Sequence, residues 1–459
     1  MTSKHSTFFE LRDALGRPGC VVCRLAARSV RRYLEALAFE SVNDLGLRAA
    51  LRRSRGFCNL HAWQLLDEAR EPFGAGIIYR DVLNGCAETL ARGAGARSEL
   101  AGGGECLACD ARARSAARYV DALVDHVNES EIARRLEDGG GLCWRHFALG
   151  LARGGRGVRA LARAQLAAIE RVSDPAWRPT RPAAAAPTAG VRAGTAAPRP
   201  AADEEVGDPL VALVVGLRGV HGPLTTAVAA RGRGGSPAEG WGGSPAEGGG
   251  GSPRRRRGVA PAAAEDAPLS EWDECAACRT ARRAVHGAAR ALDADDAAGE
   301  LCPPHAWLGL DLCGPAVVRR RLGPSVEHLC ERIASAADDL RRAESIGIGR
   351  LAVATPSARR ARGDLALRLS PGQGCAVCQA QLAAEEAGPV GHGDVLCRPH
   401  LLALDATSAA TMGHWRSIVA DLDEYIRKND YRFRDEPRGP EQRSPWRAAS
   451  AAAAGPGLR

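Results

Sequence analysis

The chain has 459 residues, 45% of them hydrophobic, which suits several globular parts, but aromatics are only 4%, so any core must be built from Leu, Ala and Val. The formal charge of +8 is a weak argument for a polyanion partner, because Lys4 and Lys428 are the only lysines and the arginines are interleaved with acids, as on solvated helix faces. The start, MTSKHSTFFELRDAL, has no charged head leading into an apolar run, and LVALVVGL at 210–217 is the longest apolar stretch. That is far below the roughly 20 residues of a spanning helix, so a soluble cytoplasmic protein without membrane contact is expected. In a reducing cytosol fifteen cysteines point to metal or redox chemistry rather than to disulfides.

The first pair of cysteines is CVVC at 20, followed by apolar residues at Leu25, Ala26, Val30, Tyr33, Leu34 and Leu37, the spacing of one helix face. Asn43-Asp44 is placed to cap a short helix before GFCNLHAW at 56, where a cysteine precedes a histidine by three. The figure returns: CLAC at 106 opens a helix with Ala116, Ala117, Val120, Leu123, Val124 and Val127 on one face, Ser130 is a second candidate cap, and GLCWRHFA follows at 141. From 174 to 270 the chain turns Pro/Ala/Gly/Arg-rich, with GGSPAEG at 234 and 242 and then GGGGSPRRRR. Such a segment buries too little apolar surface to offset its ordering entropy and reads as a disordered linker, its Arg254–Arg257 run as solvated charge.

Two further copies come after it. CAAC at 275 is answered by ELCPPHAW at 300 and CAVC at 375 by VLCRPHLL at 395, without the intervening short helix. Helices are expected on Val326, Leu329, Ile333, Ala337, Leu340 and on Trp415, Ile418, Val419, Leu422, Tyr425, Ile426. No alternating strand pattern is visible. The residues from about Glu441 resemble the linker in composition.

The expected architecture is therefore all-α: an N-terminal half over 1–173, a disordered linker over 174–270, a C-terminal half over 271–447, and a disordered tail over 448–459. Each half holds two CxxC/CxxH modules. His61 and His305 are both followed by Ala-Trp, and Cys86 and Cys330 lie at the same offset beyond them; the other two copies share neither feature. Copy one thus resembles three and two resembles four, as after tandem duplication of a two-module unit.

Two thiols three residues apart at a turn into a helix come to one side, where the helix N-terminus favours thiolate. The same offset puts the cysteine and histidine of CxxH on one face. A CxxC with a CxxH supplies three sulfurs and one nitrogen, the donor set of a closed tetrahedral structural zinc site. Taken as neighbours, the quartets are Cys20, Cys23, Cys58, His61; Cys106, Cys109, Cys143, His146; Cys275, Cys278, Cys302, His305; and Cys375, Cys378, Cys397, His400, or about four zinc ions per chain. Spacing leaves open whether pairs close within a module or cross between neighbours. The connections, 24–57, 110–142, 279–301 and 379–396, vary while their end pairs do not, as a metal clip allows.

Competing readings are buried packing cysteines, dithiol redox centres and an iron–sulfur cluster with three cysteines and one histidine. A redox CxxC is expected beside a βαβ unit, and none is seen. All four positions of each proposed site are filled by protein, which argues against catalytic zinc, and no His-x-Glu of the deaminase type is present. Cys86 and Cys330 lie on apolar stripes and read as core; Cys313 has no assigned place, and His126, His286, His328, His392 and His414 have no counterparts between copies.

At GRPGCVVCRLA, YLEALAFESVND, SRGFCNLHAW and DEYIRKNDYRFRDEP the chain resembles a bacterial and archaeal family of uncharacterised proteins, domain-of-unknown-function family 6062. The resemblance spans most of 8–90, 100–173 and 271–447. The family often has Cys-Pro-x-Cys at its first pair; Val21 stands there here, without effect on ligation. The resemblance implies paired Cys/His motifs and a C-terminal signature at Tyr431, Arg432, Phe433 and Arg434, read as a docked tail, but no activity. The expected function is a non-catalytic zinc scaffold or interaction protein with a protein partner. The alternatives are a thiol-based redox sensor and a nucleic-acid-binding zinc protein. No phosphate-binding loop, nucleophile elbow or acid pair is present to argue for an enzyme.

Overall fold

The helical periodicities of the sequence are realised as helices throughout. The computed structural model describes residues 5–67, 72–93, 96–174, 208–216, 275–294, 301–345, 375–387, 393–404, 409–433, 435–439 and 441–455, and these form α-helices with no strand. The first half holds α1 (Ser6–Ala14), α2 (Val21–Phe39), α3 (Leu45–Ser54), α4 (Asn59–Asp67), α5 (Pro72–Ala91), α6 (Ala96–Ala101), α7 (Leu107–His126), α8 (Ser130–Asp138), α9 (Trp144–Arg153) and α10 (Val158–Ser173). Next comes α11 (Pro209–Val215), then α12 (Ala276–Arg290), α13 (Pro303–Cys313), α14 (Pro315–Ser345), α15 (Ala376–Ala387), α16 (Arg398–Ala403), α17 (Ala409–Arg427) and α18 (Pro445–Ala454). No described helix is long and apolar enough to cross a membrane.

Local chemistry sets many of the ends. Asp44 caps α3, its Oδ1 accepting the Leu47 N–H at 2.6 Å. Ser130 does not cap α8. The cap position is Glu129, without a side-chain hydrogen bond, and Ser130 is the first helical residue. Prolines enter α11, α13, α16 and α18 in the first turn, where the missing N–H has no helical partner to lose.

Two compact units are each assembled from three stretches of chain, and these are not the two sequence halves. One unit comprises Met1–Val30, Ala111–Gly222 and Gly299–Gly374; the other comprises Arg31–Asp110, Pro223–Ala298 and Cys375–Arg459. In the first, α10 packs on α8, α9 and α14 and buries Leu161, Ala164, Ala168 and Ile169. In the second, α5 packs on α17 and α18, burying Tyr79, Leu83, Trp415, Leu422 and Tyr425.

Two expectations from composition need correction. The apolar run inside the 174–270 segment is a docked helix: α11 packs on α9, α10, α13 and α14, with Val211 and Ala212 wholly buried. The tail expected from 448 onward is α18, whose residues 449–454 are all buried. α11 (PLVALVV) is apolar at every position, and α18 (PWRAASAAAA) is rich in alanine, whose small side chain lets a short helix approach others closely and whose helix propensity is the highest. Residues 175–207 and 217–270, including Arg254–Arg257, lie outside the described residues, as does His392. Cys86 is fully buried on α5, as its stripe implied, and burial pushes its thiol up. Cys313 and Cys330 are half-buried.

Candidate metal centres

All eight ligand pairs start a helix in the same way. The first cysteine of each pair stands just before the helix, and its carbonyl accepts the N–H of the residue four further on, at 2.8–3.2 Å, from Cys20–Arg24 to Cys397–Leu401. Cys143, Cys275, Cys302 and Cys397 have the extended backbone of a cap residue. The second ligand then falls in the first turn. Both donors of a pair sit at the positive end of a helix, where thiolate is favoured. The residue before each CxxH cysteine is apolar and buried: Phe57, Leu142, Leu301 and Leu396.

The pairs come together, but not as neighbours. Centre I is Cys20, Cys23, Cys143 and His146; centre II is Cys58, His61, Cys106 and Cys109; centre III is Cys275, Cys278, Cys397 and His400. Within each group the donor atoms lie within 4.8 Å of one another. These three groups correct all four nearest-neighbour quartets. The outer pairs of each half close on each other, and so do the inner pairs of the first; in the second, Cys302 Sγ lies 3.2 Å from His305 Nδ1 at the start of α13, while Cys375 stands just before α15 and Cys378 in its first turn. The helix that carries Cys23 bears on this. Cys23 lies in the first turn of α2, and the 16 residues of α2 beyond it carry the chain roughly 24 Å onward at 1.5 Å per residue before α3 and Cys58.

In centre I the Cys23 and Cys143 Sγ atoms are 3.5 Å apart, and His146 Nδ1 lies 3.4, 3.3 and 3.2 Å from the sulfurs of Cys20, Cys23 and Cys143. Centre II has Cys58 and Cys109 sulfurs at 3.6 Å, with His61 Nδ1 3.3–3.5 Å from all three sulfurs. Centre III repeats this, with Cys278 and Cys397 at 3.6 Å and His400 Nδ1 at 3.1–3.5 Å from its sulfurs. Such separations are far from a disulfide bond of about 2.05 Å. They are close to the edges of roughly 3.5–3.8 Å expected of a tetrahedron with zinc–sulfur bonds near 2.3 Å.

The electrostatics of the protein groups alone fit a cation. In centre I burial works against the Cys20 thiolate, yet hydrogen bonds from Cys143 and Cys23 hold its thiol well below the usual range. Burial, with the Cys143 and Cys20 sulfurs, pushes Cys23 well above it. The His146 imidazole is disfavoured as a cation by burial, but the Cys143 and Cys20 thiolates outweigh this and raise it to about 10. In centre II hydrogen bonds from Cys109 and Cys58 lower Cys106, while Cys106 and Cys109 raise Cys58. Centre III splits alike: the Cys278 hydrogen bond lowers Cys275, and burial raises Cys278. Three thiolates held this close repel one another, and a dication bound by three sulfurs and an imidazole would supply the positive charge that offsets this.

Three supporting residues escaped the sequence reading. Gln165, buried on α10, accepts the Leu142 N–H through Oε1 and donates through Nε2 to the Leu142 carbonyl, both at 2.8 Å, so it fixes the backbone just before Cys143. Thr411 does the same work before Cys397, accepting the Leu396 N–H at 3.0 Å. Glu385, buried, holds Oε1 3.5 Å from His400 Nε2 and accepts from Gln381 at 2.8 Å. With Nδ1 turned to the sulfurs, the other ring nitrogen faces a carboxylate, the usual outer partner of a metal-bound histidine. Each is a polar residue on an otherwise buried helix face, which is the signal that could have found it.

The remaining expectations are local. His126 lies against Phe8, ring centroids 4.4 Å apart, and is 2.8 Å from Glu129 Oε1. His286 and His414 sit on α12 and α17, away from the three centres. In the C-terminal signature the guanidinium groups of Arg427 and Arg432 flank the Phe433 ring, Lys428 donates to the Pro437 carbonyl at 2.6 Å, and Tyr431 is exposed; Arg434 lies outside the described residues. The segment is folded back on the end of α17. No family model, curated protein or solved structure matches the chain.

Proposed function

We propose that the protein is a zinc-bound helical scaffold, akin to the uncharacterised family it resembles, in which four Cys3His sites hold helix N-termini together and the helices present a surface to a protein partner. The carrying observation is that three sulfurs and one Nδ1 converge in the same arrangement repeatedly, with all four coordination positions filled from the chain. A filled tetrahedron leaves no place for substrate or water, so the metal acts on folding, where structural zinc contributes on the order of 10 kcal/mol in small modules. That contribution matters in cores with so few aromatics.

One observation favours a second role for part of the molecule. Cys58, Cys106 and Cys109 are half-buried, whereas the centre I and III ligands are buried. Water-accessible zinc thiolates react with oxidants, so centre II would also serve as a thiol sensor that releases its ion on oxidation. Elemental analysis of protein purified without added metal, with thiol counting before and after a chelator, tests the scaffold reading. About four zinc per chain and thiols freed by chelation support it; iron with charge-transfer colour, or folded protein free of metal, overturns it.

A further inference from the structure

The two helices hidden by composition occupy matching places. Asp208-Pro209 opens α11 and Ser444-Pro445 opens α18; each ends on a glycine, Gly216 at φ 86° and Gly455 at φ 87°. That left-handed lobe is open to glycine and turns its carbonyl away from the helix. In both cases the carbonyl accepts an indole N–H from the tryptophan two residues after a CxxH histidine. Trp307 Nε1 reaches Gly216 at 3.2 Å, and Trp63 Nε1 reaches Gly455 at 3.0 Å. Indole is a donor with no acceptor role, so a half-buried or buried tryptophan here needs such an oxygen.

The helices beneath correspond too. α11 lies on α13 and α14, and α18 lies on α4 and α5. Around α11, Arg319 pairs with Asp208 at 2.7 Å. Around α18, Asn59 Nδ2 donates to the Ala454 and Gly455 carbonyls, both at 3.0 Å, and Arg398 Nε donates to the Ala453 carbonyl at 2.9 Å. The long helices repeat the exchange, α10 packing on α14 and α17 on α5.

In chain order α11 follows the two modules of the first half; it packs on α9 and α10 of that half and also on α13 and α14 of the second, where its closing glycine meets Trp307. Likewise α18 follows the two modules of the second half, packs on α16 and α17 there, and also packs on α4 and α5 of the first, where its closing glycine meets Trp63. The duplicated unit is therefore longer than two modules. It carries a closing helix, and it carries a seat for such a helix beside His-Ala-Trp.

We propose that the chain is an interlocked pair, in which each half's closing helix is the ligand of the other half's tryptophan-bearing module, so that the halves remain a one-to-one complex when the connection between them is cut. The partner each seat fits is a short apolar helix opened by proline and ending in a glycine at positive φ. This goes beyond the scaffold reading and is independent of which metal is bound.

The test uses the full chain as purified, with a site-specific protease sequence inserted between the GGSPAEG repeats at 234 and 242. After cleavage, size-exclusion chromatography with light scattering is expected to show both fragments in one peak of intact mass. The double substitution Trp63→Phe, Trp307→Phe, in the cleaved protein, is expected to weaken their association roughly ten-fold or more, as loss of one buried and one part-buried hydrogen bond implies. Fragments that part without denaturant, folded or aggregated, overturn the proposal. So does an association that the double substitution leaves unchanged.

Discussion

Centres I and II use the same four donors in the same geometry and differ in water. Every ligand of centre I is buried, at 0–4% exposure, while in centre II only His61 is, at 1%. The difference comes from what surrounds the ligands. At centre I the loop carrying Leu142 and Cys143 is fastened to α10 by Gln165, and α10 is a long helix at the middle of its unit. Centre II lies beside the short α6 and a Gly102–Gly104 turn held to Arg53 through the Gly103 N–H at 3.0 Å. The donor set decides which metal a site takes; the cover decides whether anything but the metal can reach it.

Removing a ligand from each centre breaks the comparison most directly. Cys143→Ser should lose one metal equivalent and cost on the order of 5 kcal/mol or more, because it leaves buried sulfurs without their cation. Cys109→Ser should also lose one equivalent but cost roughly half as much, water being able to solvate what remains. Chemical denaturation with metal analysis reads both, and equal losses would mean that cover has no part in stability. Gln165→Leu is expected to cost about 2–3 kcal/mol by leaving the Leu142 N–H and carbonyl unpaired in the core, and to speed metal loss at centre I alone.

Native-state alkylation followed by mass spectrometry sharpens the contrast without mutation. Cys58, Cys106 and Cys109 should be modified at least ten-fold faster than Cys20, Cys23 and Cys143, a difference of about 1.4 kcal/mol in access. Uniform labelling would remove the case for a sensing centre. The smallest effects fall on the short helices that precede the two CxxH pairs. Asp44→Ala should cost about 1 kcal/mol in thermal unfolding, since it deletes a cap hydrogen bond, whereas Ser130→Ala should stay within about 0.5 kcal/mol because Ser130 makes none.

What could be read from the residues alone follows from which features have a local period. The helices and the sixteen ligands did, since a cysteine three residues from a cysteine or histidine is a first-turn geometry wherever it occurs. The pairing of CxxC with CxxH did not, because it depends on how far α2 carries the chain, a length that spacing between motifs conceals. α11 and α18 were lost for another reason: seven apolar residues inside a Pro/Gly-rich stretch, or a run of alanines, look the same whether they are solvated or are packed closely beside an indole. Gln165, Thr411 and Glu385 were visible as letters, but their roles lie in contacts with residues at 142, 396 and 400.

The Gly455 carbonyl also marks how far back the chain can be cut. A truncation ending at residue 444 would remove the acceptors that Asn59 and Trp63 find on α18, take the Ala453 carbonyl from Arg398, which keeps those of Leu100 and Ala101, and leave one side of α5 wet. A truncation ending at residue 455 keeps them all.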